Sequence, residues 1–284
     1  MRREQQGIAL LTVLLVTSLA LLITAAMVRS HRLVVHSSAQ HLHQLQLRQL
    51  SFAGEAWALQ RLRDGVQAPN AALAAGQTWA SGQPNMHIDN GQIHVEIEDL
   101  AGRFNVEALL TKGPVDKVLA QRWLRLQTQL GLPLLAPGVF QGLSLSDISQ
   151  LRELPGVDGQ WLARMRPWIA LLGKDATLNI NTASATVLAT LEGVTPEMAR
   201  QLVAQRPMQG YASVQDFTFS PALIGLGVHA NGLGINSRWF RITTQVRLGQ
   251  SRLLLESDVS RDLKTGQWHL LQRRFLAPSY SESF

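Results

Sequence analysis

An uncharged segment near the N-terminus restricts what this chain can fold into. Residues 8–28 read IALLTVLLVTSLALLITAAMV, and the only polar side chains among them are hydroxyls. As an α-helix this segment is about 31 Å long, which is enough to cross the hydrocarbon core of a bilayer. Serine and threonine hydroxyls can hydrogen-bond back to the helix backbone, so they are tolerated in lipid. The segment predicts a transmembrane helix, with the basic stretch before it, MRREQQG, on the cytoplasmic side.

The residues alone leave three interpretations of this stretch open. It can be a signal anchor that is never cleaved. It can be a secretory signal that is cleaved near Thr24-Ala25-Ala26, although that tripeptide is a poor match to the usual small-residue pattern. It can also be cleaved in front of the apolar run, because a short basic leader that ends in Gly7 directly precedes that run.

The third arrangement resembles the leader of type IV pilins and of the pseudopilins of type II secretion. In those families a prepilin peptidase cuts after the glycine and methylates the new N-terminal residue, and the apolar helix stays in the membrane until it joins a filament. The resemblance implies cleavage after Gly7 and a methylated N-terminus at Ile8.

The fifth residue after this expected cleavage point is Thr12. Pilins usually carry a glutamate here, which is thought to pair with the N-terminal amine of the subunit above. A carboxylate inside a bilayer costs about 2.5–3.5 kcal/mol or more, so it needs such a partner. A neutral fifth residue is a mark of the K-type minor pseudopilins of type II secretion, and Thr12 directs the resemblance to that family.

Composition excludes several kinds of site. The 284 residues include no cysteine, so there is no disulfide, no thiolate metal site and no thiol nucleophile. The net charge of +6 is dispersed without a lysine- or arginine-rich block, and by itself does not indicate nucleic-acid binding. With 46% hydrophobic residues, the part beyond the anchor can build one large domain or two small ones.

The apolar run continues into an amphipathic helix. Between Arg29 and Arg63 there is no proline and Gly54 is the only glycine, and Asp64-Gly65 then stops the helix. The apolar positions at helical spacing, which predict one buried face, are Val35, Leu42, Leu45, Leu50, Phe52, Ala53, Ala56, Leu59 and Leu62. From residue 8 to residue 63 the helix would be about 84 Å long, the spine of a pilin. Its histidines have no carboxylate beside them and are interpreted as solvated rather than metal-binding: His31, His36, His41 and His43.

A loop and a strand follow the helix. Residues 67–90 are rich in alanine, glycine, proline and glutamine, and they predict a loop with little core content. Residues 92–100, QIHVEIEDL, place Ile93, Val95 and Ile97 on one side and polar residues on the other. This alternation predicts a half-buried strand.

Two further blocks carry the resemblance to the K-type minor pseudopilins. They are EDLAGRFNVEAL at residues 98–109 and LNINTASATVLATL at residues 178–191. With the leader, the neutral Thr12 and strands near the C-terminus, they extend the resemblance over essentially the whole chain. The resemblance implies a pilin-like fold into which a helical domain is inserted.

Residues 105–236 are expected to form that insertion. The predicted helices are 115–130, followed by two pairs, 145–154 with 160–171 and 183–191 with 196–205. Thr195 and Pro196 suit the start of the last helix, and Asn181 or Thr182 can cap the helix that begins at residue 183.

The turns of both pairs, LPGV and EGVT, resemble those of helix-hairpin-helix units. In DNA-binding members of that family a second glycine lets backbone N–H groups approach a phosphate. Asp158 and Thr195 occupy that second position here, and Glu192 precedes Gly193. Because a carboxylate repels phosphate, the hairpins are expected to be a packed scaffold rather than a DNA-binding surface.

After residue 236 the pattern returns to strands. Residues 238–248, 252–261 and 267–276 predict three strands, with turn signals at Gly249-Gln250 and Lys264-Thr265-Gly266. With strand 92–100 they would make a four-stranded antiparallel sheet against the spine helix.

The expected fold class is α+β: a pilin-like fold with a long N-terminal transmembrane and spine helix, an antiparallel sheet, and a large inserted all-α domain with helix-hairpin-helix-like units. The expected domains are the leader 1–7, the transmembrane helix 8–28, the spine continuation with loop and first strand 29–104, the inserted helical domain 105–236 and the C-terminal strands 237–284.

No catalytic motif is present. The sequence has no P-loop, no zinc-protease motif, no nucleophile elbow and no dinucleotide-binding glycine pattern, so an enzyme is not expected. Two acidic clusters are interpreted as solvated strand faces: Glu96, Glu98, Asp99 and Glu107, and Glu256, Asp258 and Asp262. Oxygen-rich clusters suit calcium, and the family resemblance leaves calcium binding open with no ligands assigned.

The resemblance implies a minor pseudopilin at the tip of a periplasmic pseudopilus that initiates its assembly and supports export of folded proteins. The expected partners are I-type and J-type minor pseudopilins, the major pseudopilin, the prepilin peptidase and the inner-membrane assembly platform, with the body in the periplasm and no nucleic acid bound. One alternative is a membrane-anchored helix-hairpin-helix DNA-binding protein of a competence or type IV pilus system, which needs basic hairpins. Another is a minor pilin of a type IV pilus, which shares all features except the insertion.

Overall fold

The structure is a computed structural model that describes residues 2–66, 71–80, 85–88 and 91–276; of residues 2–10 and His36 only the backbone is described. The chain divides into two compact units, with the boundary between Leu50 and Ser51. The helices are α1 Arg2–Gly65, α2 Lys117–Gln129, α3 Gly159–Met165, α4 Ala185–Leu188, α5 Pro196–Ala204 and α6 Val214–Thr218. The strands are β1 Asn85–Ile88, β2 Gly91–Asp99, β3 Phe104–Asn105, β4 Ile169–Ala170, β5 Leu178–Asn179, β6 Leu233–Gly234, β7 Trp239–Leu248, β8 Ser251–Arg261 and β9 Trp268–Leu276.

The first unit consists of the N-terminal part of α1. All side chains of residues 11–35 are exposed, and the helix has a stretch with a mean hydropathy of 2.5, long and apolar enough to cross a membrane. Three hydroxyls donate to carbonyls about one turn earlier: Thr17 to Val13 at 2.9 Å, Ser18 to Leu15 at 2.9 Å and Thr24 to Ala20 at 2.8 Å. These bonds confirm that the hydroxyls of the apolar segment turn back onto the helix backbone.

In the second unit, the last turns of α1 pack with one face on the sheet. The buried positions of this part are Ser51, Gly54, Glu55, Ala58, Leu62 and Val66. Of the positions predicted to form the buried face, Leu62 is buried and Leu50, Phe52 and Leu59 are half-buried. The prediction is wrong for the positions that are exposed: Val35, Leu42, Leu45, Ala53 and Ala56. Alanine carries too little apolar surface to fix the rotation of a helix. Here the rotation is fixed by the close approach at Gly54 and by the ion pair of Glu55.

Gly54 is where α1 comes nearest to the sheet. A Cβ atom added at this position would lie 2.5 Å from Cγ2 of Thr244 on β7 and 3.1 Å from Cγ2 of Val95 on β2. The helix backbone therefore rests directly on the side chains of two neighbouring strands, and only glycine leaves room for this packing.

Glu55 fastens the same helix to β8 and β9. Its carboxylate is buried and accepts hydrogen bonds from Ser257 Oγ at 2.5 Å and from the guanidinium of Arg273 at 2.7 and 2.5 Å. Burial alone would raise the pKa of Glu55, but the hydrogen bonds from Arg273 and Ser257 outweigh it and hold the pKa below the ordinary 4.5. The carboxylate thus stays ionised and bridges the helix to two strands.

The sheet has five strands in the order β1-β2-β7-β8-β9, and every neighbouring pair is antiparallel. The prediction of four strands missed β1, which lies inside the stretch that was predicted to be a loop. Three of the four residues of β1 are exposed, so it has no alternation of apolar and polar residues to detect. The predicted turns are confirmed: Gly249 and Gly266 have φ values of 58° and 69° between the last three strands.

Residues 100–238, which join β2 to β7, are called the insertion below. Its first half packs around Trp123 on α2, which is fully buried. The Trp123 ring lies 5.6 Å from that of Phe104, 5.3 Å from Phe140 and 6.1 Å from Trp161. Its indole N–H donates to the carbonyl of Leu135 at 2.8 Å, so the polar atom of the ring is satisfied in the core.

The prediction that the insertion is all-α is wrong. The first predicted hairpin pairs a 3₁₀ helix, Ile148–Glu153, with α3, and the chain after α3 enters β4 where a continuous helix was predicted. Pro167 lacks the N–H that would continue α3, so the helix ends before it. β4 pairs in parallel with β3, and β5 pairs in parallel with β6.

The second half of the insertion contains α4, α5 and α6 around a separate core that includes Phe217 and Leu202. Thr195 caps α5 through the N–H of Met198 at 3.3 Å, and Pro196 is its first residue, as predicted. The predicted caps of α4, Asn181 and Thr182, are wrong, because Ser184 is the cap. Both predicted caps take part in a different network, described below.

A buried ion pair joins the two halves of the insertion. Arg122 on α2 is 2% exposed, and its guanidinium donates to both oxygens of Glu192, at 3.2 and 3.1 Å. It also donates to the carbonyls of His229 and Asn231, at 2.8 and 2.7 Å. Burial raises the pKa of Glu192, but the hydrogen bonds from Arg122 outweigh this and leave the pKa lowered. The pair is therefore ionised and holds the two cores together.

We predict that Gly54→Val destabilises the second unit by about 1–3 kcal/mol or more, since the new side chain overlaps Thr244 and Val95 and pushes α1 away from the sheet. Thermal unfolding of the full chain in detergent, followed by circular dichroism, measures the effect. Gly113→Val is the matched control, because a Cβ at Gly113 meets nothing within 4 Å. Equal stabilities for the two variants would contradict the packing described here.

Candidate functional site

The sequence-predicted processing residues lie near the start of α1. Gly7 and Ile8 fall within the helix, and their side chains are among those that the structure leaves undescribed. Thr12 lies on the same helix with an exposed side chain. The structure does not test the roles assigned to these residues, so those roles stay predictions.

The two sequence blocks that carried the family resemblance meet at Asp99. This residue ends β2, is 4% exposed and accepts hydrogen bonds from both blocks. Its Oδ1 accepts from the N–H of Ala101 at 2.9 Å. Its Oδ2 accepts from Asn179 Nδ2 at 2.8 Å and from Thr182 Oγ1 at 2.6 Å. The carboxyl group of Asp99 thus binds Asn179, which lies 80 positions further along the chain.

The pKa of Asp99 reflects this environment. Burial raises the pKa above its ordinary value of 3.8, and hydrogen bonds from Ser237, Thr182, Asn179 and Ala101 offset only part of the rise. Ser237 directly precedes the return of the chain to β7. The carboxyl group therefore joins the end of β2, the second half of the insertion and the start of the C-terminal strands.

Two other residues of these blocks explain why the close approach is possible. A Cβ at Gly102 would lie 2.9 Å from Thr182 Oγ1 and 3.0 Å from the Thr182 carbonyl oxygen, so only glycine fits. Asn105 accepts from the N–H of Leu172 at 3.1 Å and donates to the carbonyl of Gly173 at 3.1 Å, which ties the start of the insertion to the strand-like segment after α3.

The Asn residues of the second block continue the same network. Asn179 also donates to the carbonyl of Leu73, at 3.1 Å, and accepts from the N–H of Asn181, at 3.0 Å. Asn181 in turn exchanges two hydrogen bonds with the backbone of Tyr211, at 3.0 and 2.7 Å. Asn181 was predicted only as a possible helix cap and Asn179 was given no role, but both are buried and hold loops that a sequence pattern does not bring together.

A second contact between the sheet and the insertion is ionic. Arg241 on β7 is 6% exposed and donates to both oxygens of Asp258 on β8, at 2.7 and 2.9 Å. Arg274 on β9 donates to Asp258 at 3.0 Å and to Asp147 of the insertion at 3.1 Å. Gln272 donates to the same oxygen of Asp147, at 3.1 Å.

Glu256 and Arg166 complete this network. The Glu256 carboxylate lies 3.6 Å from Arg166 of the insertion and 3.7 Å from Arg274. Three arginines thus face three carboxylates, and the formal charges cancel. Because each carboxylate has a guanidinium beside it, the network suits fixation of the insertion on the sheet, and not the binding of a phosphate or a metal ion.

The acidic clusters of the sequence are therefore ion pairs in large part. Glu256 and Asp258 belong to this network, Glu98 pairs with Arg103 at 2.5 Å, and Asp99 is buried. The interpretation as solvated strand faces is wrong for these residues. Among the described residues no group of three histidine, aspartate or glutamate side chains could hold a metal ion.

A cleft of about 590 Å³ lies next to the ionic network and is lined on one side by Trp239, Leu100 and Leu172 and on the other by Arg241 and Asp147. Of its charged lining residues, Asp147, Arg241, Asp258 and Arg274 belong to the ionic network described above, and Glu107 lies outside it. The cleft thus has apolar residues and a mostly paired set of charges, and the single carboxyl group of Glu107 does not make the convergent set of groups that a catalytic site needs.

The hairpin residues that were predicted to repel phosphate have other tasks. Asp158 accepts from the N–H of Trp161 at 2.7 Å and caps α3. Glu192, predicted only to repel phosphate beside Gly193, is 9% exposed and paired with Arg122. Gly193, at the tip of the second hairpin, lies against Leu226. A Cβ added at Gly193 would be 3.2 Å from the Cβ of Leu226. These contacts describe a packed scaffold.

Glu55, Arg122 and Arg241 were missed by the sequence reasoning. Each is a charged residue in a stretch that was read for its apolar residues, and each partner is between 17 and 218 positions away. The sequence did contain a signal that Glu55 is buried and paired. Glu55 falls on the same helical face as Ser51 and Leu62, in a part of the chain that has few acidic residues.

We predict that Thr182→Val destabilises the protein by about 1–2 kcal/mol, since it removes one donor from the buried Asp99 carboxyl without changing side-chain volume. Denaturant unfolding of the full chain in detergent measures the change. Thr186→Val, the same substitution four residues further along, is the control and should have an effect below about 0.5 kcal/mol. If both variants unfold at the same denaturant concentration, Thr182 contributes nothing specific at Asp99.

Comparison with known proteins finds similarity to one protein of type II secretion. The family model described as type II secretion system (T2SS), protein K, matches residues 178–236, which begin with the second block. Type II secretion system protein K of Pseudomonas aeruginosa is 29% identical over 96% of this chain and 93% of its own length. The protein of the same name from Klebsiella pneumoniae is 28% identical over 97% of this chain and 98% of its own.

A solved structure agrees on the fold. A chain of the GspK-GspI-GspJ complex from the type 2 secretion system of enterotoxigenic Escherichia coli superposes with a TM-score of 0.68 at 20% sequence identity, over 86% of this chain and 100% of that chain. The resemblance seen in the leader, Thr12 and the two blocks thus has support from relatives along the whole length and from the fold. The chain is thus similar to type II secretion system protein K over nearly its whole length and in its fold, which supports a structural role as a minor pseudopilin, and its N-terminal helix is long and apolar enough to anchor it in a membrane.

Proposed function

We propose that this minor pseudopilin occupies the tip of the periplasmic pseudopilus and initiates its assembly. The observation that carries the proposal is Thr12, a neutral side chain at the fifth position of an otherwise pilin-like anchor. In a filament, a glutamate at that position pairs with the N-terminal amine of the next subunit above. A subunit with nothing above it gains nothing from this acid, and a carboxylate without a partner in the membrane is costly.

The insertion supports the same position. Residues 100–238 are tied to the sheet at Asp99 and at the network of Arg241, Asp258, Arg274 and Asp147. A body of this size cannot fold away from the sheet to make room for a neighbouring subunit. At the end of a filament it needs no such room.

The partners follow from this position. The chain is proposed to join I-type and J-type minor pseudopilins, as the relative in the GspK-GspI-GspJ complex does, and to sit on the major pseudopilin. The anchor would lie in the inner membrane, where the prepilin peptidase and the assembly platform act, with the body in the periplasm. Support of protein export across the outer membrane is then an indirect, structural function.

A DNA-receptor function has less support. At the turns of the hairpins, Asp158 and Thr195 cap the helices that follow, and Glu192 is paired with Arg122. Of the arginines nearest to them, Arg200 pairs with Glu197 at 2.9 Å and Arg164 donates to the carbonyl of Leu130. Arg152 on the first hairpin is exposed, but one such side chain is fewer than the several free basic groups that contribute most of the affinity for a phosphate backbone.

We predict that the leader is removed after Gly7 and that Ile8 becomes the N-terminus. Gly7→Val should leave a full-length precursor, since a branched side chain crowds the position next to the scissile bond. Mass spectrometry of the protein from a strain with prepilin peptidase measures both outcomes, and Gly113→Val, a change far from the cut at a position where a Cβ meets nothing within 4 Å, should be processed normally. An N-terminus at Met27 or a retained Met1 in the unchanged chain would refute processing after Gly7.

We predict that the subunit lies at one end of the filament only. Gold labelling of the body on isolated pseudopili should give label at a single end, because Thr12 leaves no charge for a subunit above and the insertion blocks repetition. The major pseudopilin, labelled in parallel, should be marked along the shaft. In the same assay Thr12→Glu should not increase filament number. Label from this subunit at intervals along the shaft would overturn the tip assignment while leaving the family unchanged.

A further inference from the structure

Arg29 and Arg32 lie directly after the apolar segment, in the first unit. The apolar segment, residues 8–28, is about 31 Å long as a helix and matches the hydrocarbon thickness of a bilayer. Arg29 is therefore expected to lie at the level of the lipid headgroups. Residues 33–35 are leucine and valines with exposures of 64%, 58% and 62%, so the helix stays apolar beyond the two arginines. From Val28 to Val35 the helix rises by about 10 Å, which covers the headgroup layer on one side of a bilayer.

The two arginines share one face of α1 with part of the anchor. They are three residues apart, which places them side by side on a helix. A surface groove on this face is lined by Leu21, Ala25 and Val28 toward the anchor and by both guanidinium groups toward the body. Thr24, which also borders the groove, donates its hydroxyl to the carbonyl of Ala20 at 2.8 Å, so its polar hydrogen is already satisfied.

The charge distribution around the anchor is unusual for its proposed orientation. Removal of residues 1–7 takes away Arg2 and Arg3, and no other lysine or arginine precedes the anchor. The basic residues nearest to the membrane are then Arg29 and Arg32, on the side of the body. Membrane proteins usually carry the basic residues next to a transmembrane helix on its cytoplasmic side. This argument rests on the proposed function, which sets the orientation, and it indicates that the arginines have a task other than topology.

We propose that Arg29 and Arg32 bind the phosphate of an anionic phospholipid in the leaflet that faces the body. A guanidinium pairs well with a phosphate diester, and two of them on adjacent turns can hold one headgroup from both sides. The apolar part of the groove, from Leu21 to Val28, accommodates the upper part of an acyl chain. The bound lipid fixes the depth of the anchor and, with its single negative charge shared between the two guanidinium groups, lowers their net charge from +2 to +1 before the helix leaves the membrane for a filament.

Native mass spectrometry of the full chain in detergent tests the proposal, with phosphatidylglycerol and phosphatidylcholine of identical acyl chains as probes. The unchanged chain should retain phosphatidylglycerol roughly 10-fold more strongly, the order expected for two basic residues at an anionic surface. Arg29→Gln with Arg32→Gln should reduce this preference to less than about 3-fold. Arg29→Lys with Arg32→Lys, which keeps the charges, should retain most of it.

The control variant, Arg152→Gln with Arg200→Gln, removes the same charge from exposed positions of the body and should leave the preference unchanged. An equal loss in the control means unspecific attraction and overturns the proposal. So does an unchanged preference in the Arg29→Gln, Arg32→Gln variant, whether or not that variant loses copurifying pseudopilins. The Gly7→Val precursor, which keeps Arg2 and Arg3, is measured alongside with and without the Arg29→Gln and Arg32→Gln changes. The molecular mass reports processing, and the difference that the two changes make within the precursor reports lipid binding, so failure of processing and failure of lipid binding are seen separately.

Discussion

The buried carboxyl group of Asp99 is the interaction on which the body of the protein depends. It stands where the chain leaves the sheet, and its donors come from the turn that follows, from Asn179 and Thr182 in the second half of the insertion, and from Ser237 where the chain returns to the sheet. A buried acceptor of this kind is costly when any of its donors is lost, and that cost makes the arrangement specific. The two sequence blocks that carry the family resemblance, residues 98–109 and 178–191, thus have a common structural role, because they meet at the carboxyl group of Asp99.

The ion pairs of the body follow a common pattern. Of the 26 basic residues 22 are arginine, and arginine supplies the buried contacts of Glu55, Glu192 and Asp258. A planar guanidinium can hold a carboxylate with two parallel hydrogen bonds, which a lysine cannot. In a chain without cysteine, such bidentate pairs fix elements that disulfides fix in many exported proteins.

Much of the architecture could be predicted from local patterns. The apolar segment, the alternation in strands β2, β7, β8 and β9 and the caps of α5 depend on nearby residues and were read correctly. What could not be predicted depends on distant partners: the rotation of α1, which places Glu55 inward and Ala53 outward, and the inward turn of Glu192 toward Arg122. The predictions of the short strand β1 and of the 3₁₀ helix 148–153 failed for another reason. Elements of four to six residues show too little sequence periodicity to be recognised. Of the predicted site, Thr12 and the processing residues come from resemblance, while the junction at Asp99 became visible only in three dimensions.

The pairing of β2 with β7 has a consequence for the order of folding. Asp99 and Phe240 are direct neighbours in the sheet although 140 residues separate them in the chain. Such a non-local contact has a large loop-closure entropy, which must be offset before the strands can pair. The two cores of the insertion consist of residues close in sequence, so they can form first and bring the ends of the insertion near each other. The sheet is then completed last, when the C-terminal strands pair, and the last turns of α1 have no complete surface to pack on until that moment.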